Sequence, residues 1–331
     1  MPIKYAQKPW SDEKILKTLK PYVAKWFKQT FETFTPPQKY AIPLIQKGEN
    51  TLVFSPTGSG KTLSAFLFAI NWLFSLGEEG RLKDSVYVVY VSPLRALAND
   101  IRKNLLVPLE GIRKVANDMG LELPEVRAFV RTGDTPASEK AKMLKKTPHI
   151  LITTPETLSI VLCAPRFREK LRTVRYVIVD EVHELCDNKR GVHLSLSLER
   201  LQEIAEQEFV RIGLSATQAP LEEIAKWLVG YKDDGKLRDV TIVNIYETKK
   251  LDMRVICPVR DLIHTDYTYV NTRMYEILRD LVEKHRTTLI FTNTRSGAES
   301  VTFHLKQVFG EEYIDQIATH HGSLSRTTRL E

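Results

Sequence analysis

The chain of 331 residues has few cysteines and no long apolar segment. Its three cysteines, Cys163, Cys186 and Cys257, are far apart and form no C-x-x-C pair, which argues against a disulfide framework and against a zinc site. No run of about 18 apolar residues occurs, and residues 1–5 carry no apolar signal region. From these absences we expect a soluble, cytoplasmic protein that makes no contact with a membrane.

The chain does contain enough apolar sequence for a large core. Hydrophobic residues make up 43% of it, and this content together with the length predicts two domains, or one full domain and part of another. Lys and Arg number 48 against 41 Asp and Glu, which gives a net charge of +7. Such a charge permits binding to a polyanion such as nucleic acid but does not require it.

The most specific local pattern is the stretch Ser55-Pro56-Thr57-Gly58-Ser59-Gly60-Lys61-Thr62. It joins a short apolar segment, residues 51–54, to a strongly apolar one, residues 63–74, which predicts a loop between a buried strand and a buried helix. Its two glycines let backbone N–H groups turn inward around phosphates, and the N-terminus of the helix adds partial positive charge. The stretch therefore predicts a phosphate loop for a nucleoside triphosphate.

Two side chains of this loop have predicted roles of their own. Lys61 is expected to reach the outer phosphates, and the Thr62 hydroxyl is the expected Mg²⁺ ligand. The usual pattern begins with Gly where this chain has Ser55, so a Gly/Ser turn that meets the pattern by chance is the alternative. The strand before the loop and the helix after it favour the phosphate loop.

The order of strand, polar loop and helix returns along residues 85–245. Segments typical of buried strands are residues 85–91, 126–130, 150–152, 176–179, 210–214 and 240–245. This alternation predicts an α/β fold with a parallel sheet and helices on both faces. Polar residues directly follow the strands, at the edge where open α/β sheets bind ligands, although such residues are also common in turns.

A carboxylate pair stands at the end of one of these strands. Asp180 and Glu181 directly follow residues 176–179. In a phosphate-loop enzyme the first carboxylate holds Mg²⁺, usually through water, and the second can orient and deprotonate an attacking water. The alternative is a pair that caps the following helix, but the phosphate loop upstream favours the metal and water roles.

Three other features each allow two interpretations. Gln38 opens a predicted helix, residues 38–47, and its amide could pair with an adenine edge or could lie at the surface. His183 could be a satisfied loop imidazole, or it could carry a hydrogen bond from the nucleotide site to a neighbouring domain. Residues 1–30 interleave lysines with aromatic residues, which favours amphipathic helix with a buried aromatic face over a clamp for a nucleic-acid strand.

The motifs taken together resemble those of a known family. Their order matches the Q motif and motifs I, Ia, II and III of a superfamily 2 helicase of the D-E-x-H type, at Gln38 and residues 55–62, 92–97, 180–183 and 215–217. Within that superfamily the chain is most similar to the large-helicase-related (Lhr) family of archaea and bacteria, with an archaeal-like pattern. The segments that carry this similarity are residues 92–97, 132–135, 153–158 and 321–325. The resemblance spans residues 30–331 and implies a RecA-like domain, a partial second RecA-like domain and an ATP-driven motor.

The resemblance also implies roles for individual residues. The cofactor-binding residues would be Phe34, Gln38, Thr57, Gly58, Ser59, Gly60, Lys61 and Thr62, with adenine read by Gln38. Thr62 and Asp180 would hold Mg²⁺, largely through water, and catalysis would depend on Glu181 as the base with Lys61 and Asp180. Coupling of hydrolysis to strand movement would involve His183, Ser215 and Thr217. The contacts to nucleic acid would come from Arg95, Thr132, Gly133, Thr154, Thr292 and Arg295.

The implied cofactors are ATP and Mg²⁺, and the implied partners are single-stranded DNA or RNA and RNA:DNA hybrids. The resemblance also implies a monomer that moves 3′ to 5′ along these nucleic acids. It would be located in the prokaryotic cytoplasm, associated with the nucleoid. Residues 1–249 are expected to form an N-terminal segment and the ATP-binding domain, and residues 250–331 the partial second domain. Because motifs V and VI, with their arginines for the ATP site, are not found, we expect nucleotide binding with weak hydrolysis by this chain alone. The missing C-terminal half of the motor would then belong to the full-length protein.

The second domain has predicted elements of its own. Helices are predicted at residues 274–285 and 298–309, and strands at residues 288–291 and 314–318. The pair His320-His321 favours a loop contact with nucleic acid or a domain interface over metal binding, because no further ligand is near it.

Two other functions remain open at this point. ATP could gate binding or annealing of strands without unwinding, or the chain could be an unrelated phosphate-loop ATPase such as a transporter subunit. The second would leave Gln38 and Ser215-Ala216-Thr217 unexplained, and it lacks an L-S-G-G-Q signature. Charge alone does not separate DNA from RNA, because that discrimination depends on contacts to the 2′-hydroxyl.

Overall fold

A computed structural model of the chain describes residues 2–93, 95–216, 220–245, 252–321 and 323–324, with the backbone alone for residues 95–104, 311 and 312. Contacts divide the chain into two units, Met1–Thr248 and Lys249–Glu331. The strands of the first unit are β1 (Ile3–Tyr5), β2 (Thr51–Phe54), β3 (Val88–Val91), β4 (Ala128–Arg131), β5 (Ile150–Thr153), β6 (Tyr176–Val179), β7 (Val210–Ser215) and β8 (Val240–Asn244). Its helices are α1 (Asp12–Leu16), α2 (Pro21–Thr30), α3 (Pro36–Gln46), α4 (Lys61–Glu78), α5 (Arg95–Asp118), α6 (Ala137–Lys145), α7 (Pro155–Cys163), α8 (Pro165–Arg168), α9 (Lys189–Ile204) and α10 (Leu221–Val229).

The strands of the first unit form a single sheet in the part of the chain that the structure describes. Their order is β1-β8-β2-β7-β6-β3-β5-β4, and every neighbouring pair is parallel. All strands therefore end along the same edge, the carboxyl edge of the sheet. The predicted parallel α/β sheet is confirmed, with one strand, β1, that the sequence pattern did not predict.

Alternate residues of the central strands face two different layers of helices. Tyr90 and Ile178 pack into a core with α2, α3, α4 and α5, whereas Val89 and Val177 pack into a second core with α7, α9 and α10. A sheet that is covered on both faces needs apolar residues at every strand position, because successive side chains point to opposite sides. This cover explains the near-continuous apolar strands and leaves the carboxyl edge as the place for polar chemistry.

The N-terminal helices support the first core. The aromatic side chains Tyr22, Trp26 and Phe27 of α2 are buried in that core, while Lys25 and Lys28 of the same helix are exposed. The amphipathic interpretation of this region is thus confirmed.

The second unit contains the helices α11 (Tyr267–Lys284) and α12 (Arg295–Phe309) and a 3-10 helix at Glu311–Gln316. Both predicted helices are confirmed, but the strands predicted at residues 288–291 and 314–318 are wrong. Residues 288–291 have no regular structure, and Leu289 and Phe291 are 79% and 89% exposed. A strand must pair its backbone groups with a neighbour, and the described residues of this unit contain no strand to pair with.

Within the described ranges, every helix is too short or too polar to cross a membrane.

Candidate functional site

The predicted phosphate loop lies at the carboxyl edge, between β2 and α4. Gly58 and Gly60 have φ angles of 78° and 81°, in the left-handed region that glycine adopts without strain. Helix α4 begins at Lys61, directly after the loop, so its first N–H groups are free of intrahelical partners there. This arrangement of turned backbone and helix N-terminus is suited to an anion such as a phosphate group.

Ser55 stands where the usual pattern has glycine, and the structure shows what it contributes. Its side chain is fully buried, and its Oγ lies 2.7 Å from Oγ of Ser59. Its backbone N–H donates to the carbonyl oxygen of Ser215 at 3.2 Å, on the neighbouring strand β7. The departure from the pattern therefore gives the loop an internal hydrogen bond that glycine could not make.

Gln38 is buried beside this loop rather than lying at the surface. Only 3% of it is exposed, its Oε1 accepts the Thr35 N–H at 3.0 Å, and its Nε2 donates to the Gly60 carbonyl oxygen at 3.2 Å. An amide offers two donor hydrogens and two acceptor lone pairs, so one of each remains for a ligand. The interpretation of Gln38 as a surface residue is therefore wrong.

Phe34 supports the turn that leads to Gln38. Its ring is buried and stacks on the ring of Phe27 with centroids 3.8 Å apart, and its N–H donates to Oδ2 of Asp12 at 3.0 Å. Its role in cofactor binding stays a prediction.

The carboxylate pair follows the end of β6 on the same edge of the sheet. Asp180 is 6% exposed; its Oδ1 accepts the Glu181 N–H at 2.9 Å, and its Oδ2 accepts the Tyr90 hydroxyl. Glu181 is the N-cap residue of the short 3-10 helix Val182–Glu184, but no side chain makes a capping hydrogen bond there, and Asn188 caps α9. The capping alternative is therefore wrong.

Glu181 has an unusual backbone conformation. Its φ and ψ are 47° and 48°, and it is the only non-glycine residue with positive φ in the part of the chain that the structure describes. A left-handed conformation of this kind costs on the order of 1 to 3 kcal/mol and tends to persist at functional sites.

Lys61 lies near both carboxyl groups. Burial raises the pKa of Asp180, and the Tyr90 hydrogen bond, the Glu181 N–H and the charge of Lys61 oppose that rise. Burial and then the charge of Asp180 raise the pKa of Glu181, while Lys61 and His183 act to lower it. The Lys61 ammonium is itself buried and donates to the Ser55 carbonyl oxygen at 3.4 Å. The phosphate loop and the acid pair thus form one electrostatic site, in which a carboxylate with a raised pKa is a stronger base.

His183 connects this site to the end of β7. Its Nδ1 lies 3.4 Å from Oε2 of Glu181, 3.2 Å from Oγ of Ser215 and 3.4 Å from the Ala216 backbone nitrogen. Two of the three residues predicted to couple hydrolysis to movement, His183 and Ser215, are therefore in contact. The third, Thr217, lies outside the described residues.

The residues predicted to contact nucleic acid occupy loops after other strands of the sheet. The Thr132 N–H donates to Oγ1 of Thr135 at 2.9 Å, and Thr154 caps α7, where its Oγ1 accepts the Thr157 N–H at 3.4 Å. Gly133 is exposed beside Thr132. These loops follow β4 and β5, so they share the carboxyl edge with the phosphate loop.

The other predicted nucleic-acid contacts are more distant in the chain or only partly described. The backbone of Arg95 begins α5, and its side chain lies outside the described atoms. Thr292 and Arg295 belong to the second unit, where both are exposed just before and at the start of α12. The Thr292 hydroxyl donates to the Thr294 carbonyl oxygen at 2.9 Å, and Arg295 donates to Oγ of Ser323.

Two residues of this edge had no signal in the sequence. Arg190 of α9 donates to Oε1 of Glu156 at 2.7 Å and to the Pro93 carbonyl oxygen at 2.6 Å, which ties the loops after β3 and β5 together. Tyr90, which donates to Asp180, has the sequence pattern of an ordinary apolar strand residue. Both act across contacts between residues far apart in the chain, so no local motif contains them.

The parallel sheet, the phosphate loop and the acid pair at its edge define a phosphate-loop nucleotide-binding protein with a RecA-like fold. Residues 35–224 match the family model of the DEAD/DEAH box helicase. The chain belongs to this family and holds its RecA-like, ATP-binding helicase domain, which excludes an unrelated ATPase.

Similar proteins agree with this family and refine it. The chain is 59% identical over 329 residues to ATP-dependent helicase Lhr-Core protein 2 of Thermococcus barophilus and 57% identical over 330 residues to ATP-dependent helicase Lhr-Core of Methanothermobacter thermautotrophicus. Each match covers 99% of this chain and 38% of the relative. The solved structure of Mycobacterium smegmatis helicase Lhr bound to ssDNA and AMP-PNP is 41% identical, with a TM-score of 0.82 over 96% of this chain and 40% of that chain. The resemblance to the Lhr family is confirmed.

Proposed function

We propose that this chain is the ATP-driven motor region of an Lhr-type helicase. It moves 3′ to 5′ along single-stranded DNA or RNA and separates duplexes or RNA:DNA hybrids. The observation that supports this most is the approach of Lys61, at the start of α4, to Asp180 and Glu181 at the end of β6, where its charge acts on both carboxyl groups. The boundaries that go with this function are residues 1–249 for the ATP-binding domain and residues 250–331 for part of a second one.

The residues around the phosphate loop fit ATP. A Cβ at Gly60 would lie 2.7 Å from Nε2 of Gln38, so any larger residue at this point would have to displace that amide. The N–H groups of Thr57 to Thr62 would hold the phosphates, and Lys61 would neutralise their charge. The remaining donor and acceptor of Gln38 would pair with the adenine edge, with Phe34 behind the same turn.

The same edge fits Mg²⁺. The Thr62 hydroxyl and the Asp180 carboxylate are hard oxygen donors, and the carboxylate keeps unused lone pairs after its two hydrogen bonds. When bound, Mg²⁺ would offset negative charge that develops on the phosphates. Glu181 would orient the attacking water and take its proton, a role that its raised pKa favours.

Coupling and strand binding would use the other loops of this edge. The contact of His183 with Glu181 and Ser215 would pass the state of the nucleotide to β7 and to Thr217 beyond it. A single strand would lie along Arg95, Thr132, Gly133 and Thr154 of the first unit. Thr292 and Arg295 are the contacts to nucleic acid that we propose for the second unit.

The proposal is tested by strand separation and strand annealing on duplexes that carry either a 3′ or a 5′ single-stranded tail. We expect ATP-dependent unwinding of the 3′-tailed duplex that is slow, because hydrolysis by this chain alone is expected to be weak, and that is lost in Lys61→Ala. Annealing that both proteins perform equally, with no unwinding by either, would instead support a module in which ATP only gates strand binding. Unwinding from the 5′ tail would overturn the proposed direction.

Substrate preference is measured separately. The affinities for matched single-stranded DNA and RNA, with and without nucleotide, are compared at two salt concentrations. The slope against salt counts the phosphates contacted, and the ratio between DNA and RNA reports recognition of the sugar.

A further inference from the structure

Tyr90 lies between the acid pair and the phosphate-loop helix. It is on β3, which pairs with β6 in a register that places Tyr90 beside Ile178, two residues before Asp180. Its hydroxyl donates to Oδ2 of Asp180, and its ring stacks on Phe66 of α4 with centroids 5.1 Å apart and planes at 27°. The side chain is fully buried, so both contacts are shielded from water.

The hydrogen bonds of Asp180 show what the hydroxyl contributes. Oδ1 is held by the Glu181 N–H at 2.9 Å, and among the described residues Tyr90 supplies the hydrogen bond to Oδ2. With one donor on each oxygen, the plane of the carboxylate is fixed on both sides. A buried carboxylate oxygen without a donor is unfavourable, so removing the hydroxyl would free the group to rotate toward another partner.

We propose that Tyr90 is a positioning residue of the nucleotide site: its hydroxyl fixes the orientation of the carboxylate that would hold Mg²⁺, and its ring ties that orientation to α4 through Phe66. This inference rests on the proposed function, because it assigns a support to the metal-holding carboxylate. Residues that orient metal-holding carboxylates typically affect metal affinity by about 10- to 100-fold when they are changed.

A purely structural role is the competing explanation, and Tyr176 offers a matched comparison. It is also a buried tyrosine of the sheet, on the adjacent strand β6, and it faces the same layer of helices. Its ring packs edge-on against Phe68 and Trp72 of α4 with centroids 5.1 Å and 5.0 Å apart. Tyr176 lies four residues before Asp180, and in the part of the chain that the structure describes the donors to Asp180 are the Glu181 N–H and the Tyr90 hydroxyl, not Tyr176.

The test uses the full chain and measures the affinity for a fluorescent ATP analogue during a Mg²⁺ titration and again in EDTA. Tyr90→Phe keeps the ring and its stack on Phe66 but removes the donor. We expect it to raise the half-saturating Mg²⁺ concentration by about tenfold and to leave the affinity in EDTA unchanged. Tyr176→Phe should match the wild type in both measurements, and thermal unfolding shows that both variants are folded.

Three results would overturn this inference: an unchanged Mg²⁺ requirement in Tyr90→Phe, an equal loss of affinity in EDTA and in Mg²⁺, or the same shift in Tyr176→Phe. A failure of the proposed function looks different. In that case the wild type itself would bind the nucleotide without any dependence on Mg²⁺, and Lys61→Ala would bind it equally well.

Discussion

Gly58 and Gly60 of the phosphate loop share a backbone conformation but differ in their surroundings. Alanine at either position would have to adopt a left-handed backbone conformation, which costs roughly 1 to 2 kcal/mol. At Gly60 the new Cβ would also lie 2.7 Å from Nε2 of Gln38, whereas at Gly58 it would meet nothing within 4 Å. We expect Gly60→Ala to displace Gln38, the proposed partner of adenine, and therefore to lose most of the preference for ATP over GTP. Gly58→Ala should weaken the binding of both nucleotides equally. Competition binding of the two nucleotides checks this, and equal preferences in the two variants would contradict it.

The buried imidazole of His149 should make the stability of the first unit depend on pH. The imidazole is 2% exposed and its Nδ1 accepts the Arg127 N–H at 3.1 Å; burial, with the charge of Arg127, lowers its pKa to about 4. Between pH 6.5 and 4 the unfolded chain holds a proton on this residue that the folded chain does not, so stability is full above pH 6.5 and falls on acidification. The loss is roughly 1.4 kcal/mol per pH unit at most.

Urea unfolding at pH 7 and pH 5 measures this dependence. His149→Asn should lose about 2 kcal/mol less than the wild type between the two values, because the titrating group is gone. His193→Asn, on the exposed face of α9, serves as the control and should follow the wild type. A wild-type midpoint that does not move between pH 7 and pH 5 would count against the buried neutral imidazole.

Single residues were predictable from sequence where a short motif carries their chemistry. Lys61 and Asp180 stand in local patterns that can be recognised without a fold, and the structure brings them together. Tyr90 and Arg190 could not be found this way, because each acts on a residue about 90 or more positions away in the chain. The internal hydrogen bond of Ser55 was equally invisible, since the pattern shows only that glycine is absent.

At the scale of elements, Glu199 joins α9 to β7 and to the segment before β8. Its Oε1 accepts from Nη1 of Arg211 at 2.8 Å, and its Oε2 accepts from Nη2 of Arg238 at 2.9 Å. Both guanidinium groups are buried, and both also donate to the Val229 carbonyl oxygen at the end of α10. Glu199 thus pairs with both buried cations, of which Arg238 is also bound by Glu208, and it links α9, β7, α10 and the segment before β8.

Removal of this carboxylate should therefore destabilise the fold. We expect Glu199→Ala to cost about 3 kcal/mol, because it leaves the buried guanidinium group of Arg211 without its acid and leaves Arg238 with Glu208 alone. Glu203→Ala, at an exposed position one turn further along α9, is the control and should stay close to the wild type. Chemical unfolding at neutral pH measures the difference, and similar free energies of unfolding for the two variants would contradict the role of Glu199.

Acidification should reduce the difference in stability between the wild type and Glu199→Ala. Burial alone would raise the pKa of Glu199, but the hydrogen bonds from Arg211 and Arg238 outweigh it and hold the pKa below the ordinary value of a glutamate. The stabilisation is therefore complete above the pKa of a free glutamate and is lost as the pH falls through the lower folded pKa. The wild type and Glu199→Ala should thus approach each other in stability at strongly acidic pH.

The elements themselves were predictable where apolar periodicity and strand partners agree. β6 is a continuous apolar run, and β7 is a largely apolar one interrupted by Arg211; each is followed by a polar loop and formed where the pattern indicated. The three-residue strand β1 carries no such run; it exists because β8 offers an open edge for it. At residues 288–291 the sequence pattern instead predicted a strand that is not present. The apolar residues there have no partner strand among the described residues.

At the scale of the whole molecule, the two units differ in how much apolar surface they bury. Both hydrophobic cores lie in the first unit, whereas in the described part of the second unit only Tyr275 and Leu305 are buried. Local stability follows buried apolar contacts, so the second unit should open at a much lower free energy than the first. Hydrogen exchange by mass spectrometry should show rapid exchange in α11 and α12 and strong protection in β2 and β6.

Binding of nucleotide should change hydrogen exchange in the first unit only. Saturating Mg·ATP would slow exchange around residues 55–62 and 180–183, because a ligand stabilises the state that binds it. Lys61→Ala should lose this protection while the difference between the units stays as it was, since that difference arises from packing and not from the ligand. Exchange in α11 and α12 as slow as in β6, with or without nucleotide, would show instead that the second unit is held as firmly as the first.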